Sequence, residues 1–290
     1  MPASAPPDAP AAALAMTGAM TGPTARRRRR ARLSTLLAPP ALVAVAFLVL
    51  PLAGLLVRAP WSDLGALLTD PSVRRALLLS LFCASVSTVL SLAFGVPLAW
   101  VLARASFPGR RLLRALVLLP LVLPPVVGGV GLLYALGRVG LLGHALGSVG
   151  VSLAFTTAGV VLAETFVAMP FLVVTVEGAL AASDRRYEEA AESLGASGWT
   201  TFRRITLPLI GPSVAAGAVL SFARAMGEFG ATITFAGNTD GKTRTMPLAV
   251  YNALESNPPA AVALSLVLLA VSVVILLSLR ERWLRPGGAP

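Results

Sequence analysis

Six stretches of about twenty largely apolar residues dominate the sequence. They lie at about Leu37–Val57, Ala76–Ala103, Leu112–Leu136, Val151–Val176, Ile205–Met226 and Ala260–Leu279. A helix needs ~20 such residues to cross the ~30 Å hydrocarbon layer of a bilayer. None of the runs alternates polar and apolar residues at period two, which excludes a β-barrel. Composition points the same way: 56% of residues are hydrophobic and 13% charged, against about 25% charged in a soluble domain. An all-α, polytopic membrane protein with six transmembrane helices is expected. Prolines inside the runs (Pro51, Pro97, Pro120, Pro124, Pro125, Pro170, Pro208, Pro212) are tolerable there, because neighbouring helices can satisfy the freed carbonyls.

The net charge of +11 is explained by where the charges sit. They fall in short segments between the apolar runs, which signals topology and not a nucleic-acid face. With both termini inside, inner segments hold Arg26–Arg30, Arg32, Arg104, Arg110, Arg111, Arg114, Arg185, Arg186, Arg203, Arg204, Arg280, Arg282 and Arg285, 17 residues. Outer segments hold six: Arg58, Arg74, Arg75, Arg138, Lys242 and Arg244. The positive-inside rule therefore favours cytoplasmic termini. The first run is too long for a signal-peptide core of 7–15 residues and is read as an uncleaved span. Residues 1–32 read as a disordered Ala/Pro-rich tail with an arginine block, 33–285 as the six-span domain, and 286–290 as a short tail. One cysteine, Cys83, and one histidine, His144, supply neither an intrachain disulfide nor a metal cluster. No catalytic constellation is present, and the lipid bilayer is the surrounding medium.

The inner segment between runs four and five is longer than its neighbours and patterned. Asp184 or Ser183 can cap a short helix, with Glu188, Glu189 and Glu192 towards its favourable end. Gly195 sits where a left-handed residue would stop it. A second short helix can follow Ser197 and run through Trp199 and Phe202 to Arg204, and Pro208 then opens or kinks the fifth span. This unit would expose Ala190 and Ala191, letting another protein's backbone approach closely.

The residues Glu189-Ala190-Ala191, Gly195, Ile205, Leu207 and Pro208 fit the spacing E-A-A-x3-G-x9-I-x-L-P. This resembles the EAA loop of ABC importer permeases of type I. The resemblance implies a coupling helix in the cytoplasmic loop 183–204 that docks on a separate ATPase dimer. Glu188, Glu189, Ala190, Ala191, Gly195, Leu207 and Pro208 would form the ATPase-coupling set. It further implies a second permease chain, most simply an identical one, an extracytoplasmic binding protein, and residence in a bacterial or archaeal cytoplasmic membrane. ATP would be used by the partner subunit, with no cofactor on this chain.

After the fifth run come Gly227-Glu228-Phe229-Gly230-Ala231-Thr232, Phe235-Ala236-Gly237-Asn238 and Pro247-Leu248-Ala249-Val250-Tyr251. These are similar to the molybdate permeases. Sulfate permeases are relatives with a related pattern, and sulfate or tungstate is the alternative cargo. Leu123-Pro124-Pro125-Val126-Val127 with Gly129 also resembles this oxyanion branch. Arg224 and Glu228 are four apart and can pair on one helix face. The 22 residues from Thr206 to Glu228 rise ~33 Å, which puts Glu228 near the outer end of its span. Pro124, Arg224, Glu228 and Thr232 are the residues expected along the substrate pathway or gate. Glu164, alone in the fourth run, is read as a packing residue. Ala236–Thr243 mimics a relaxed phosphate-binding loop but lacks the strand before it and the helix after it that such a loop requires. A stand-alone secondary transporter is the rival class. It would call for inverted repeats with broken helices at the midplane, and no repeat is evident.

Overall fold

The computed structural model describes residues 23–278. The tail at 1–22, the basic residues Arg280, Arg282 and Arg285, and the tail at 286–290 lie outside the described residues. The chain divides into two compact units, Met1–Val57 and Arg58–Pro290. The first unit holds α1 (Pro23–Val57), whose Leu37–Val57 segment is long and apolar enough to cross a membrane. The helix starts ahead of that segment and takes in the arginine block. Residues 23–32 are thus helical where the sequence suggested a disordered tail, in keeping with arginine's good helix propensity.

The second unit begins with α2 (Leu64–Thr69) and α3 (Pro71–Leu90), the latter capped by Asp70, whose carboxylate accepts from the Ser72 amide. A π-helical turn, Ser91–Gly95, leads into α4 (Val96–Arg104), and the whole runs as one apolar span. The turn ends two residues before Pro97, which lacks the N–H that the Ala93 carbonyl would otherwise receive, so the backbone widens there. The same device recurs before Pro208, as Phe202–Thr206.

The third apolar run is broken where the sequence suggested one continuous span. It forms α5 (Arg110–Val122) and α6 (Pro125–Leu136), bent by 119° at Leu123-Pro124. Each residue before a proline is pushed out of the helical region, and Leu123 and Pro124 adopt ψ of 132° and 130°. A short α7 (Gly143–Ser148) precedes α8 (Thr157–Ala182). The Thr156 side chain caps α8 by accepting from the Gly159 amide at 3.1 Å. That cap shifts the helix six residues from the start read from hydropathy, which responds to apolarity and not to capping. The helix of the loop between the fourth and fifth runs is α9 (Arg186–Ser193); α10 (Gly198–Thr201) continues through the second π turn into α11 (Leu207–Met226). The anticipated second short helix is therefore the first turns of a single span, Gly198–Met226. Beyond it lie α12 (Gly230–Phe235), α13 (Met246–Ser256) and α14 (Pro258–Ser278).

Polar contacts fix which helix ends share a level. At one end Arg104 pairs with Glu188 and Arg114 with Glu177; this is the α9 end. At the other, Arg75 meets Asp240 at 2.7 Å and the Thr157 hydroxyl donates to the Lys242 carbonyl at 2.8 Å. Both α3–α4 and α8 run from the Asp240 end to the α9 end. Helix α5 starts at the α9 end, while α6 finishes in a cluster with Ala154 and Phe235 near the Asp240 end. The bent pair is thus one broken crossing and not a hairpin returning to its own side. Helix α8 is the axis of the unit. Of its most apolar window 67% is buried, against 28% or less in the other apolar helices, as expected for a helix apolar all round. Val96, Leu102, Leu172, Val176 and Ile210 form its largest core cluster.

Candidate functional site

Two sets of residues stand at opposite ends of α11, whose 20 residues span ~30 Å. At the α9 end, Asp184 starts the short helix by accepting from the Arg186 amide at 3.0 Å. Its stop is a Schellman turn: the Gly195 amide bonds the Glu192 carbonyl at 2.9 Å and the Ala196 amide bonds that of Ala191 at 3.0 Å. Gly195 takes φ +85°, a conformation that costs a side-chain-bearing residue about 1–2 kcal/mol.

The residues expected to contact an ATPase divide by direction. Glu189, Ala190, Gly195 and Pro208 are exposed, and Ala191 and Leu207 are half-buried. Glu188 turns inward. Its Oε1 accepts from Arg104 Nη2 and from the Thr206 hydroxyl, both at 3.0 Å. Arg104 also donates to Ser183 Oγ at 2.8 Å. One carboxylate therefore ties α9 to the end of α4, and through Arg104 to the end of α8, as well as to the π turn entering α11. Sequence reasoning grouped Glu188 with the contact residues and did not find Arg104, Ser183 or Thr206 as its partners. Sequence separations of 79 and 84 residues left no local signal for the Arg104 contacts. Around the exposed face lie Tyr187, Leu194 and Trp199, exposed by 60%, 89% and 70%. Exposed large apolar groups around a short loop helix mark a contact surface.

At the Asp240 end, Arg224 and Glu228 form the expected pair, 2.7 Å apart, with Glu228 only 1% exposed. Glu228 Oε1 also accepts from the Ala231 amide at 2.8 Å. The carboxylate is thereby set at the N-terminus of α12, where an acid is favoured. Thr232 is fully buried one turn on. Pro124 is exposed at the bend, and its neighbours Pro125 and Val126 carry the contact. A Cβ on Gly230 would come within 3.0 Å of the Pro125 side chain and the Val126 amide, and one on Gly129 within 2.8 Å of the Ala231 carbonyl. The two segments that resemble the oxyanion branch, Leu123–Gly129 and Gly227–Thr232, thus cross at near-backbone contact. Phe229 packs on Tyr251 with ring centroids 5.3 Å apart, bringing in the third such segment, which forms α13.

Glu228→Gln keeps an acceptor for the Ala231 amide while removing the charge that faces Arg224. A hydrogen bond to a charged group is worth about 1.5–3 kcal/mol, so uptake is expected to fall about tenfold or more at unchanged expression. Unchanged uptake would reduce the pair to a local brace. Glu164 is buried in α8 within electrostatic reach of Glu228, and its Oε2 has no hydrogen-bond partner among the described residues. The loop mimicking a phosphate-binding motif turns its amides onto protein: those of Lys242, Thr243 and Arg244 all bond the Thr239 carbonyl. The Arg75 hydrogen bond holds the Asp240 carboxyl below its usual value. Arg244 is committed to Asn238 at 2.8 Å, whereas Lys242 is exposed.

The sequence pattern of the binding-protein-dependent transport system inner membrane components matches residues 95–286. The chain belongs to this family. Among family relatives, the molybdenum transport system permease protein of Mycobacterium tuberculosis is 51% identical over 243 residues, covering 84% of this chain and 92% of the relative. That of Escherichia coli K12 is 43% identical over 219 residues, covering 75% and 95%. The sulfate transport system permease protein CysT of Escherichia coli K12 is 38% identical over 244 residues, covering 83% and 88%. Among solved structures, a bacterial alginate ABC transporter in complex with a pentasaccharide-bound periplasmic protein superposes with TM-score 0.73 at 20% identity, over 88% of this chain and 94% of that one. The MetNI methionine ABC transporter, facing inward, gives 0.57 at 18% identity, over 73% and 94%. These two show the shared fold. The family member described here is a multi-pass membrane transport component.

Proposed function

We propose that this chain is the translocation subunit of an ATP-driven importer for a tetrahedral oxyanion, with molybdate as the cargo. The observation that carries the cargo is the ordering of relatives, 51% and 43% identity to molybdenum permeases against 38% to a sulfate permease. The sulfate relative supplies the second reading, and tungstate, equal in charge and shape, is the expected competitor. Two identical chains form the pathway, lined by the third and fifth runs. Both termini and α9 face the cytoplasm of a bacterial or archaeal cell. An ATPase dimer takes the exposed face around Glu189, Ala190 and Gly195 and hydrolyses the ATP. A binding protein delivers the anion at the Asp240 end.

Closure of the ATPases displaces α9. Glu188 relays the displacement to Arg104 and Thr206, hence to α4 and α11, while Ser183 holds α8 to the same network. Packed helices move between discrete arrangements as rigid bodies, and the crossing of α6 with α12 is the segment at the far end of α11 that would open or close. The test is ATP hydrolysis by the reconstituted complex, stimulated by binding protein loaded with molybdate, tungstate or sulfate. Molybdate and tungstate should stimulate and sulfate should not. Stimulation by sulfate alone would transfer the chain to the second reading, and uptake without ATP would reject the importer class.

A further inference from the structure

A cavity of about 500 Å³ opens at the α9 end, away from the α6–α12 crossing. It is lined by Ser106, Phe107, Gly109, Arg110, Arg111 and Arg114. Three guanidinium groups border it and no acid lines it. Glu177 behind the wall pairs with Arg114, so two positive charges remain in excess. Arg110 and Arg111 make no ion pair among the described residues, and the Nε atoms of Arg110 and Arg114 are buried without a hydrogen-bond partner there.

The cavity also lies at the N-terminus of α5. Gly109 at the cap, with φ +86°, offers no side chain to the free amides, and the first turn contains no acidic residue. Cations there oppose the helix dipole, whereas an anion would satisfy both the dipole and the arginines. A preference for basic residues on one side of the membrane explains their number, but not the convergence of Arg110, Arg111 and Arg114 on one concavity. Arginine's planar fork of donors suits a tetrahedral oxyanion, and a dianion would balance the excess charge.

We propose that this cavity binds a tetrahedral oxyanion group, held by Arg110 and Arg111 with Arg114 anchored on Glu177. The group is either a free inorganic oxyanion or the phosphate of an anionic lipid headgroup. Geometry selects charge and shape, so the site does not depend on which anion is transported.

The experiment uses the full-length chain and reads binding, not transport. Calorimetric titration with inorganic phosphate and with molybdate in an uncharged detergent tests the free-anion source. Retention of phosphatidylglycerol over phosphatidylcholine, read by native mass spectrometry from mixed nanodiscs, tests the lipid source. One ligand per chain is expected in at least one arm. Arg110→Gln with Arg111→Gln should weaken it at least tenfold, and Arg111→Gln alone, at an exposed and unpaired position, should weaken it measurably without altering thermal unfolding. Arg74→Gln, an exposed arginine at the opposite end, should leave binding unchanged. Raising ionic strength from about 0.01 M to about 1 M shortens the screening length from about 30 Å to about 3 Å and should weaken it further. Equal behaviour of wild type and the Arg111→Gln chain in both arms would overturn the proposal.

Discussion

Replacing Glu188 with alanine is expected to abolish coupled transport while leaving the exposed face of α9 intact. Side chains of Arg104 and Glu188 are 6% and 16% exposed, so the substitution strands a buried guanidinium. Breaking a buried pair from one side typically costs 3–5 kcal/mol; residual contact with Ser183 and partial solvent access bring the expectation to about 2–4 kcal/mol of stability. The functional loss should exceed the stability loss, because the same carboxylate is the link from α9 to α4 and α11. The measurement is uptake and ATP hydrolysis on the same reconstituted sample. Uptake should drop more than tenfold with hydrolysis retained. Replacing Arg104 as well should restore part of the stability but not the uptake, a non-additive pattern typical of residues sharing one network. Additive stability losses from the two substitutions would show that the ion pair does not hold the loop.

Two glycines in α6 should respond oppositely to the same change. At Gly129 a Cβ would sit 2.8 Å from both the Ala231 carbonyl and Thr234 Cβ, and 2.9 Å from Ala231 Cα. Backbone cannot yield as a flexible side chain does, so alanine must push α12 away from α6, at a cost of about 1–3 kcal/mol for overpacking. At Gly131 a Cβ would meet nothing within 4 Å, and alanine in a helix interior gains about 0.5–1 kcal/mol over glycine. Gly129→Ala should lower the thermal midpoint and impair uptake; Gly131→Ala should raise the midpoint. If both variants shifted the same way, the close crossing of α6 and α12 would not be the tight contact described.

The two ends of the molecule were legible to different degrees. Capping at Asp184, the left-handed Gly195 and the pairing of Arg224 with Glu228 follow from spacings of a few residues, because each depends on one turn of helix. The break at Leu123 was also written locally, in the successive prolines Pro124 and Pro125. Treating those prolines as tolerated within a bundle missed that two in a row remove the helical option from consecutive residues. The inward turn of Glu188 was not legible. It shares the chemistry and the helix of Glu189, and only the placement of Arg104 and Thr206 separates a brace from an exposed contact.

By itself, the sequence determined what depends on sums along the chain. Apolar run length set the number of candidate crossings, the basic residues favoured an orientation, and the inner-loop spacing indicated the family resemblance. Only the tertiary structure decided which groups meet across long separations: Arg104 with Glu188, Arg114 with Glu177, Gly129 with Ala231 and three arginines around one cavity. Apolarity and helix periodicity act within a few turns and are additive, so they can be read from order alone. A buried ion pair or a glycine contact depends on the relative placement of whole helices. Packing around α8 fixes that placement, and no local stretch of sequence encodes it.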